Sequence, residues 1–348
     1  MMNRSVGQLP TMREVATLAG VSIKTVSRVV NQEPGVSPAL IDRVHSAIAM
    51  LDYHHNTTAS SLRRADKRTA TIGLLLEDIA NPFSAALYRA IEDVARQHNT
   101  LILAGSSDED PGREEELARA LTSRRVDGLI IVPAPLGSTM PTYMRRVDRP
   151  IVVVDRPMAF ANMDSVTVDN RADTRAAVQH LMAHGHQRIA FLGDQHTIWT
   201  AAERHLGYVE ALAAAGLPLD PRLVRRDIRG IDAAEQAAIE LLGGHAAPSA
   251  FFAAQNLITI GVIRALQRLG WHHRIALVGF DDFLLADLLD PGVSSVVQDP
   301  AALGRPAAEL LFARIGGDHS PPRHIVVPTR LVARGSGEIR AENQEPQR

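Results

Sequence analysis

The sequence predicts an α/β protein: an N-terminal all-α head over residues 1–54, then a larger two-lobed body of doubly wound parallel sheets. Three observations carry this prediction. Short helical patterns with clear start signals fill the first fifty or so residues. From Thr71 onward, apolar runs alternate with helical stretches over most of the remaining chain. The charge divides near the same place, with nine Lys+Arg against five Asp+Glu in residues 1–68 and 28 against 34 in residues 69–348. A chain of 348 residues, 45% of them hydrophobic, is long enough for two or three packed domains. Zero cysteine excludes disulfides and thiolate metal sites. No run approaches the roughly 20 apolar residues of a membrane span, and the opening "MMNRSVGQLP" lacks the apolar stretch of a signal peptide. A cytoplasmic protein with no membrane partner is expected.

The first helix opens at "TMRE", where Thr11 can cap it and Glu14 can reach back to the Thr11 amide, a capping box ahead of Val15, Leu18 and Ala19. Gly20 ends it. Ser22 is a good N-cap for a second helix, "IKTVSRVV", that runs to Asn31 with Val26, Val29 and Val30 available to pack inward. The turn between them is only "AGVS", the spacing of a helix-turn-helix unit, whose second helix enters the DNA major groove. A third helix starts at Ser37 with Pro38 at its first position, and Leu40, Ile41, Val44, Ile48 and Leu51 recur at helical spacing to close a miniature core. On the second helix this leaves Ile23, Lys24, Ser27 and Arg28 facing outward as readers of bases and phosphates. Arg28 can bond guanine O6 and N7 together, Ile23 can touch a thymine methyl, and Lys24 reads a base edge or neutralises a phosphate. Thr11, Ser22, Thr25 and Asn31 complete the DNA-contacting set expected of the head. Both lysines of the chain, Lys24 and Lys67, lie in this basic region, as a polyanionic partner such as DNA requires.

Residues 54–68, "HHNTTASSLRRADKR", have Asn56 as a cap but too few apolar residues for a core of their own, so an isolated helix here is marginal. The stretch from "MREVATLAGVS" through "TVSRVVN" to "SSLRR" resembles the DNA-binding head and hinge of the lactose/galactose repressor (LacI/GalR) family of bacterial transcription regulators. The resemblance implies that the hinge folds when two copies meet in the minor groove. Leu62 then wedges into the central base step, Ala59 permits close approach of the two hinge helices, and Arg63 and Arg64 meet phosphates. An apolar wedge that unstacks a step bends the duplex. Where His55 stands the family commonly has proline. A homodimer on a pseudo-palindromic operator is expected, since one short helix reads few bases and two-fold symmetry doubles the readout. The tail at residues 341–348, "AENQEPQR", is expected to be disordered and has no leucine heptad that would assemble a dimer of dimers.

In the body, "TIGLLLED", "TLILAGS", "GLIIVPA", "PIVVVD", "RIAFLGD", "SAFFAAQ" and "RIALVGF" read as buried parallel strands. Helical patterns at 83–98, 112–124, 171–184, 201–215, 232–242 and 257–269 separate them. About 270 residues of such alternation exceed a single core, so two lobes follow. The resemblance implies the periplasmic sugar-binding-protein fold, with crossovers near Val168, Gln298 and Arg323. The expected boundaries are a hinge at 55–69 and a body at 70–340, with one lobe at 70–168 and 299–322 and the other at 169–298 and 323–340.

Ligands of open α/β sheets sit beyond the carboxyl ends of the strands. The polar and aromatic residues there are Phe83, Asp155, Arg204, Gln255, Asn256, Asp281 and Gln298. Trp199, followed by Thr200, precedes Arg204 and either stacks on a sugar face or packs in lobe closure. The resemblance supports several of these: "NPF" at Asn81 to Phe83, R-x-x-G-aromatic at Arg204, and G-aromatic-D at Gly279 to Asp281. Many relatives have Asn-Asp where this chain has Gln255 and Asn256, which removes a carboxylate from the expected pocket. The expected ligand is a small sugar or polyol, with Arg204 and Asp281 gripping a vicinal diol. His180 and His184, at i and i+4, have helical metal-ligand spacing and His186 follows, but no carboxylate completes the set nearby and "HGHQRIAFLG" reads as a helix end with histidine at the negative dipole. No metal and no cofactor are expected. The chain lacks G-x-x-x-x-G-K, G-x-S-x-G and H-E-x-x-H, so no catalysis is expected either. An effector-controlled repressor is the leading reading. A sugar-modifying enzyme fused to a DNA-binding head and a body that only dimerises are the alternatives, and the residues do not decide between inducer and corepressor.

Overall fold

The computed structural model describes residues 10–30, 33–53, 68–135, 141–146, 148–158 and 163–341. It divides into two units, Met1–Thr69 and Ala70–Arg348.

In the first unit α1 spans Met12–Ala19, α2 Ile23–Val30 and α3 Pro38–Leu51. The capping box forms as its sequence pattern dictates: the Glu14 amide donates to Thr11 Oγ1, and the Thr11 amide donates to Glu14 Oε2 at 2.7 Å. Gly20 takes the left-handed conformation that ends α1, at φ 63°. Ser22 accepts the Thr25 amide at 3.1 Å, capping α2. Val15, Ala16, Ala19, Val26, Val29, Val44 and Ala47 form the small core, and Arg43 of α3 ties the end of α1 by donating to the Ala19 carbonyl at 2.6 Å. Two expectations need correction. Leu18 is 48% exposed, because the residue before Ala19 is turned about 100° away from the buried stripe. Ser37 stands at the N-cap of α3 without a side-chain cap bond, and Pro38 starts the helix by its fixed φ. Of the expected DNA contacts, Asn31, Asn56, Ala59, Leu62, Arg63 and Arg64 lie outside the described residues, as do His55 and tail residues 342–348.

The second unit alternates strand and helix. Its first half holds β1 (Thr71–Leu76), α4 (Pro82–Gln97), β2 (Leu101–Ser106), α5 (Pro111–Ser123), β3 (Leu129–Ile131), α6 (Thr142–Arg146), β4 (Ile151–Val154) and β5 (Asp164–Thr167). Next come α7 (Asn170–Ala183), β6 (Ile189–Leu192), α8 (Trp199–Ala214), β7 (Val224–Arg225), α9 (Gly230–Leu242), β8 (Ala250–Ala253), α10 (Asn256–Leu269), β9 (Ala276–Phe280) and β10 (Ser294–Val297). The chain then runs through α11 (Pro300–Ile315), β11 (His324–Val326) and β12 (Arg330–Val332). Two six-stranded sheets result, in the orders β11-β5-β4-β3-β1-β2 and β12-β10-β9-β8-β6-β7. Every pairing is parallel except β12 with β10. The orders correspond strand for strand, so the two lobes repeat one topology apart from the direction of the last edge strand, parallel in β11 and antiparallel in β12.

Each sheet is covered on both faces, one by the cores around Ile72 with Leu311 and Leu75 with Leu121, and the other by those around Phe251 with Leu266 and Phe252 with Tyr208. This double covering is why the inner strands read as unbroken apolar runs. β2 departs from the expected burial: it is an edge strand, with Leu101 73% exposed. Its run of apolar residues imitates an inner strand. The strands β5, β7, β10, β11 and β12 had no strand reading in the sequence, because their short segments, such as "DSVT" and "SSVV", lack the unbroken apolar run that marks the equally short β3, β4, β6 and β8.

The chain passes between the sheets after β5, after β10 and again after β11. The first two passages fall at the expected Val168 and Gln298. The third is corrected: β11 pairs with β5 in the first sheet, so the chain leaves that lobe after Val326 and not at Arg323.

Gly207 of α8 faces the Arg171 carbonyl of α7 so closely that a Cβ there would overlap that backbone oxygen. Gly207→Ala is therefore expected to push α7 and α8 apart and destabilise the body by about 1 to 3 kcal/mol, read as a lower urea midpoint with unchanged m-value.

Candidate functional site

Two sites emerge, one in each unit. In the head, packing of Val26 and Val29 into the core fixes the rotation of α2 and so decides which side chains face out. Ile23, 44% exposed, and Lys24 are on the solvent side at its first turn. Arg28 is one turn further on and pairs with Glu33, Nε to Oε2 at 3.6 Å, both side chains about half exposed. Ser27 and Thr25 are partly exposed between them, and Ser22 and Thr25 hydroxyls bond each other at 2.9 Å, so these two also serve the cap. Thr11 is exposed at the start of α1.

In the body, a cavity of about 450 Å³, open space at its mouth included, lies where the carboxyl ends of both sheets converge. Phe83, Asp155, Thr200, Arg204, Gln255, Asp281 and Gln298 all line it, as their strand-end positions predict. Two expected residues do not. Trp199 is 36% exposed and outside the lining, because it opens α8 on the opposite side from Ile198 and Ala201, which do line the cavity. Asn256 is buried but bridges the lobes instead, its Nδ2 donating to Asn81 Oδ1 at 2.8 Å.

Asp155 and Asp281 occupy equivalent positions in the two lobes. Each follows the fourth strand of its sheet, β4 or β9, and each amide donates to the neighbouring strand at 2.9 Å, to Val166 and Val296 respectively. Both are left-handed, at φ 69° and 67°, a conformation that aspartate tolerates better than most side chains and that clusters at functional sites. The turn carries each carboxylate out of its strand and into the shared cavity.

Arg204 holds the second-lobe wall. Its Nε donates to Asn170 Oδ1 at 2.7 Å, its Nη1 to the Ala254 carbonyl at 2.8 Å and to Asp281 Oδ2 at 3.4 Å. The guanidinium also lies 3.6 Å over the centre of the Phe280 ring. Gln298 donates to the other oxygen of Asp281. Across the cavity Arg156 makes two bonds of 2.7 Å to Glu109 and pairs with Asp155 at 3.3 Å.

Burial raises the carboxyl groups of Asp155 and Asp281 above the ordinary aspartate range, against the opposing pull of Arg156 and Arg204 respectively. Glu77, after β1, is pushed up to about 7, chiefly by burial, with Arg156 and the Ser84 hydroxyl pulling the other way. Asp194, after β6, is raised by burial too. Glu77 Oε2 and Gln298 Oε1 are buried without a hydrogen-bond partner, acceptors left over on the cavity wall. The sequence reading omitted Glu77, Glu109, Arg156 and Asp194 from the lining. Glu77, Arg156 and Asp194 sit at or just beyond strand ends, so the rule that selected Asp155 would have selected them as well.

One exclusion also needs correction. A carboxylate does stand beside the histidine pair: Glu338 reaches His180 Nε2 at 2.9 Å and His184 Nε2 at 3.1 Å. It comes from 154 residues away in sequence, so no local spacing could reveal it. His186 is separate, bonded to the Ser249 hydroxyl and the Ile339 carbonyl. Among the described residues no helix is long and apolar enough to cross a membrane.

Comparison with known proteins gives a consistent answer. Residues 11–56 match the family described as bacterial regulatory proteins, lacI family, and residues 178–337 match a periplasmic binding protein-like domain. The chain is 31% identical to the HTH-type transcriptional regulator GalR of Escherichia coli K12 over 330 residues, covering 94% of this chain and 96% of that protein. It is 33% identical to CelR of Thermobifida fusca over 337 residues, covering 94% and 98%. Among solved structures, a CelR–cellobiose complex superposes with a TM-score of 0.71 at 32% identity, over 94% of this chain and 99% of that one. The lac repressor dimer bound to operator and the anti-inducer ONPF does so with a TM-score of 0.83 at 25% identity, over 95% and 99%. These relatives are transcriptional regulators or repressors. With the helix-turn-helix head, the two-lobed cleft and end-to-end similarity agreeing, the chain belongs to the lacI family of bacterial regulatory proteins, DNA-binding regulators of transcription.

Proposed function

We propose that this protein is a cytoplasmic repressor that binds a pseudo-palindromic operator as a homodimer and is controlled by a neutral sugar or polyol held between its lobes, without turning that ligand over. The observation that carries the effector reading is the buried Arg204–Asp281 pair, flanked by the partnerless oxygens of Gln298 and Glu77, on the wall of one cavity. A carboxylate accepts from adjacent hydroxyls while a guanidinium donates to their oxygens, which suits a vicinal diol. Five acidic side chains line the cavity, those of Glu77, Glu109, Asp155, Asp194 and Asp281, so even with Glu77 protonated the acids outnumber the guanidiniums of Arg156 and Arg204. That excess disfavours sugar acids and sugar phosphates. Phe83 supplies an apolar face for the ring. The structure of relative CelR in complex with cellobiose supports the sugar class.

On the DNA side, Arg28 is the proposed reader of guanine, with Ile23 and Lys24 beside it. Its exposed pair with Glu33 costs little to exchange for a base. In the hinge, Leu62 is the proposed wedge, Ala59 the point of close helix approach, and Asn56, Arg63 and Arg64 the cap and phosphate contacts. The lac repressor's dimer with operator supports two copies per site. So do the exposed apolar side chains on both lobes, Leu101 and Leu103 on β2 and Leu284, Leu285 and Leu288 after β9, which a partner copy would cover. Lobe closure on the effector changes the spacing of the two hinges and so operator affinity, and the coupling is reciprocal.

Arg28→Ala is expected to cost about 1 to 3 kcal/mol in operator binding and to reduce the preference for operator over scrambled DNA by the same amount, whereas Arg64→Ala weakens both alike and lowers the salt slope. A preference left intact by Arg28→Ala would remove α2's arginine from the reading surface. In calorimetry, a panel of neutral sugars should yield a ligand that loses at least about tenfold in affinity with Arg204→Ala and with Asp281→Asn, while its phosphorylated counterpart binds wild type at least as much more weakly. Equal binding to all three proteins would exclude the pair as the site, and a ligand that leaves operator affinity unchanged would exclude the coupling.

Glu77 gives a pH signature. Its proton is held to about pH 7 in the folded state but released near 4.5 when unfolded, so the native state binds more protons between these values and stability falls as pH rises through them. Glu77→Gln removes that loss. The variant should be more stable than wild type by up to about 3 kcal/mol above pH 8, with the gain fading below pH 5, in denaturant titrations across pH.

A further inference from the structure

The geometry points to a divalent transition-metal site, best suited to Zn²⁺, formed by His180, His184 and Glu338 on the outer side of the second lobe, away from the effector cavity. His180, on the last turn of α7, and His184, at its C-cap, are four residues apart, so their rings share one face, with centroids 4.6 Å apart. The chain returns over this face after β12, and Glu338 places one carboxylate oxygen against each ring: Oε1 at 2.9 Å from His180 Nε2 and Oε2 at 3.1 Å from His184 Nε2. One donor atom from each of the three lies within 4.8 Å of the others.

The hydrogen-bond chemistry of these atoms asks for a cation. His184 Nδ1 is 2.9 Å from the His180 carbonyl, an acceptor, so Nδ1 carries a proton and a neutral ring turns the lone pair of Nε2 toward Glu338. A carboxylate is acceptor-only as well, and two acceptors at 3.1 Å are held together only by a proton or a metal ion between them. His180 Nε2 is buried and makes no hydrogen bond even though Glu338 is 2.9 Å away. It is a second ring nitrogen beside the same carboxylate, close to it but without hydrogen-bond geometry toward it. One divalent ion would satisfy both nitrogens and the carboxylate. Two imidazoles and a carboxylate are a borderline donor set of the kind that binds zinc, and bonds of about 2.0–2.2 Å would need donors about 3.4 Å apart, close to the spacing of each ring nitrogen from Glu338, while the three donors as a set lie within 4.8 Å. The backbone bond from His184 Nδ1 is also the outer contact that orients metal-bound imidazole. With both side chains about one-fifth exposed and Glu338 about half exposed, the ion has a route in from solvent and room for water as a fourth ligand.

The site would staple the end of the body to α7. The Ala341 amide already donates to the His184 carbonyl at 3.0 Å, and His186 Nε2 bonds the Ile339 carbonyl at 2.8 Å. Glu338 adds the side-chain link, closing a loop of 154 residues that runs through both lobes, so the metal would stabilise the folded body by constraining the unfolded chain and through its own binding energy.

The test uses untagged full-length protein stripped with EDTA, titrated with ZnCl₂ by calorimetry and with CoCl₂ by visible absorption. Expected are one Zn²⁺ per chain, an intense Co²⁺ ligand-field band of a tetrahedral site, and a higher melting temperature with Zn²⁺. The double variant His180→Ala, His184→Ala should lose all three. Glu338→Gln, at a half-exposed position that leaves the fold intact, should bind at least about tenfold more weakly. Absence of Zn²⁺ binding at millimolar metal, or binding unchanged in either Glu338→Gln or the double variant, would overturn the assignment.

Discussion

A single buried guanidinium organises the second-lobe wall of the cavity. Arg204 is 4% exposed, and a charge removed that far from water is tolerated only where every side of it is answered. The answers come from separate elements: Asn170 at the start of α7, the Ala254 carbonyl at the end of β8, Asp281 at the end of β9, and the Phe280 ring beneath. Helix, strands and turn must therefore hold their register together, since loss of one partner would strand a charge in low dielectric at a cost of several kcal/mol. The close packing of α7 on α8 at Gly207, one turn beyond Arg204, is part of the same constraint. It brings Asn170 within reach of a side chain that could not otherwise meet it.

The duplicated topology explains why chemistry gathers at one place. Two sheets of the same strand order present their carboxyl ends to one another, so the equivalent aspartates 155 and 281 face a common cavity from opposite lobes. Their surroundings then diverge. Asp281 is bonded by Arg204 and Gln298, whereas Asp155 meets Arg156, whose guanidinium is taken up by Glu109. One wall thus grips with a pair, while the other is a buried acid cluster in which Glu77 keeps its proton near neutral pH. The lobes also touch directly, Asn81 to Asn256 and the Asp108 carbonyl to Arg229, and contacts of that kind are what a closing cleft makes and breaks.

The head follows a different logic. Its helices are short and its core small, so capping carries much of the specification: Thr11 with Glu14, Gly20, and Ser22 with the Thr25 amide. All of these act within a few residues, and so the head was legible almost completely. Leu18 is the instructive exception. Apolar identity alone placed it inward, yet only one stripe of so short a helix can be covered by its two neighbours.

The sequence by itself determined the class of fold, the boundary between basic head and acidic body, the rotation of α2, and seven of the nine residues expected around the cavity. These depend on local signals: caps, the helical period, and the rule that ligands sit at strand ends. Tertiary structure alone decided the rest. Trp199 and Asn256 carried plausible chemistry at plausible positions, but rotation at the start of α8 and the contact with Asn81 turned them to other tasks. β11 joined the first sheet because β5 offered it an edge, which no pattern in "HIV" announces. Glu338 closed on His180 and His184 from the far end of the body. Each of these is a meeting of residues distant along the chain, and distance along the chain is what periodicity and spacing do not encode.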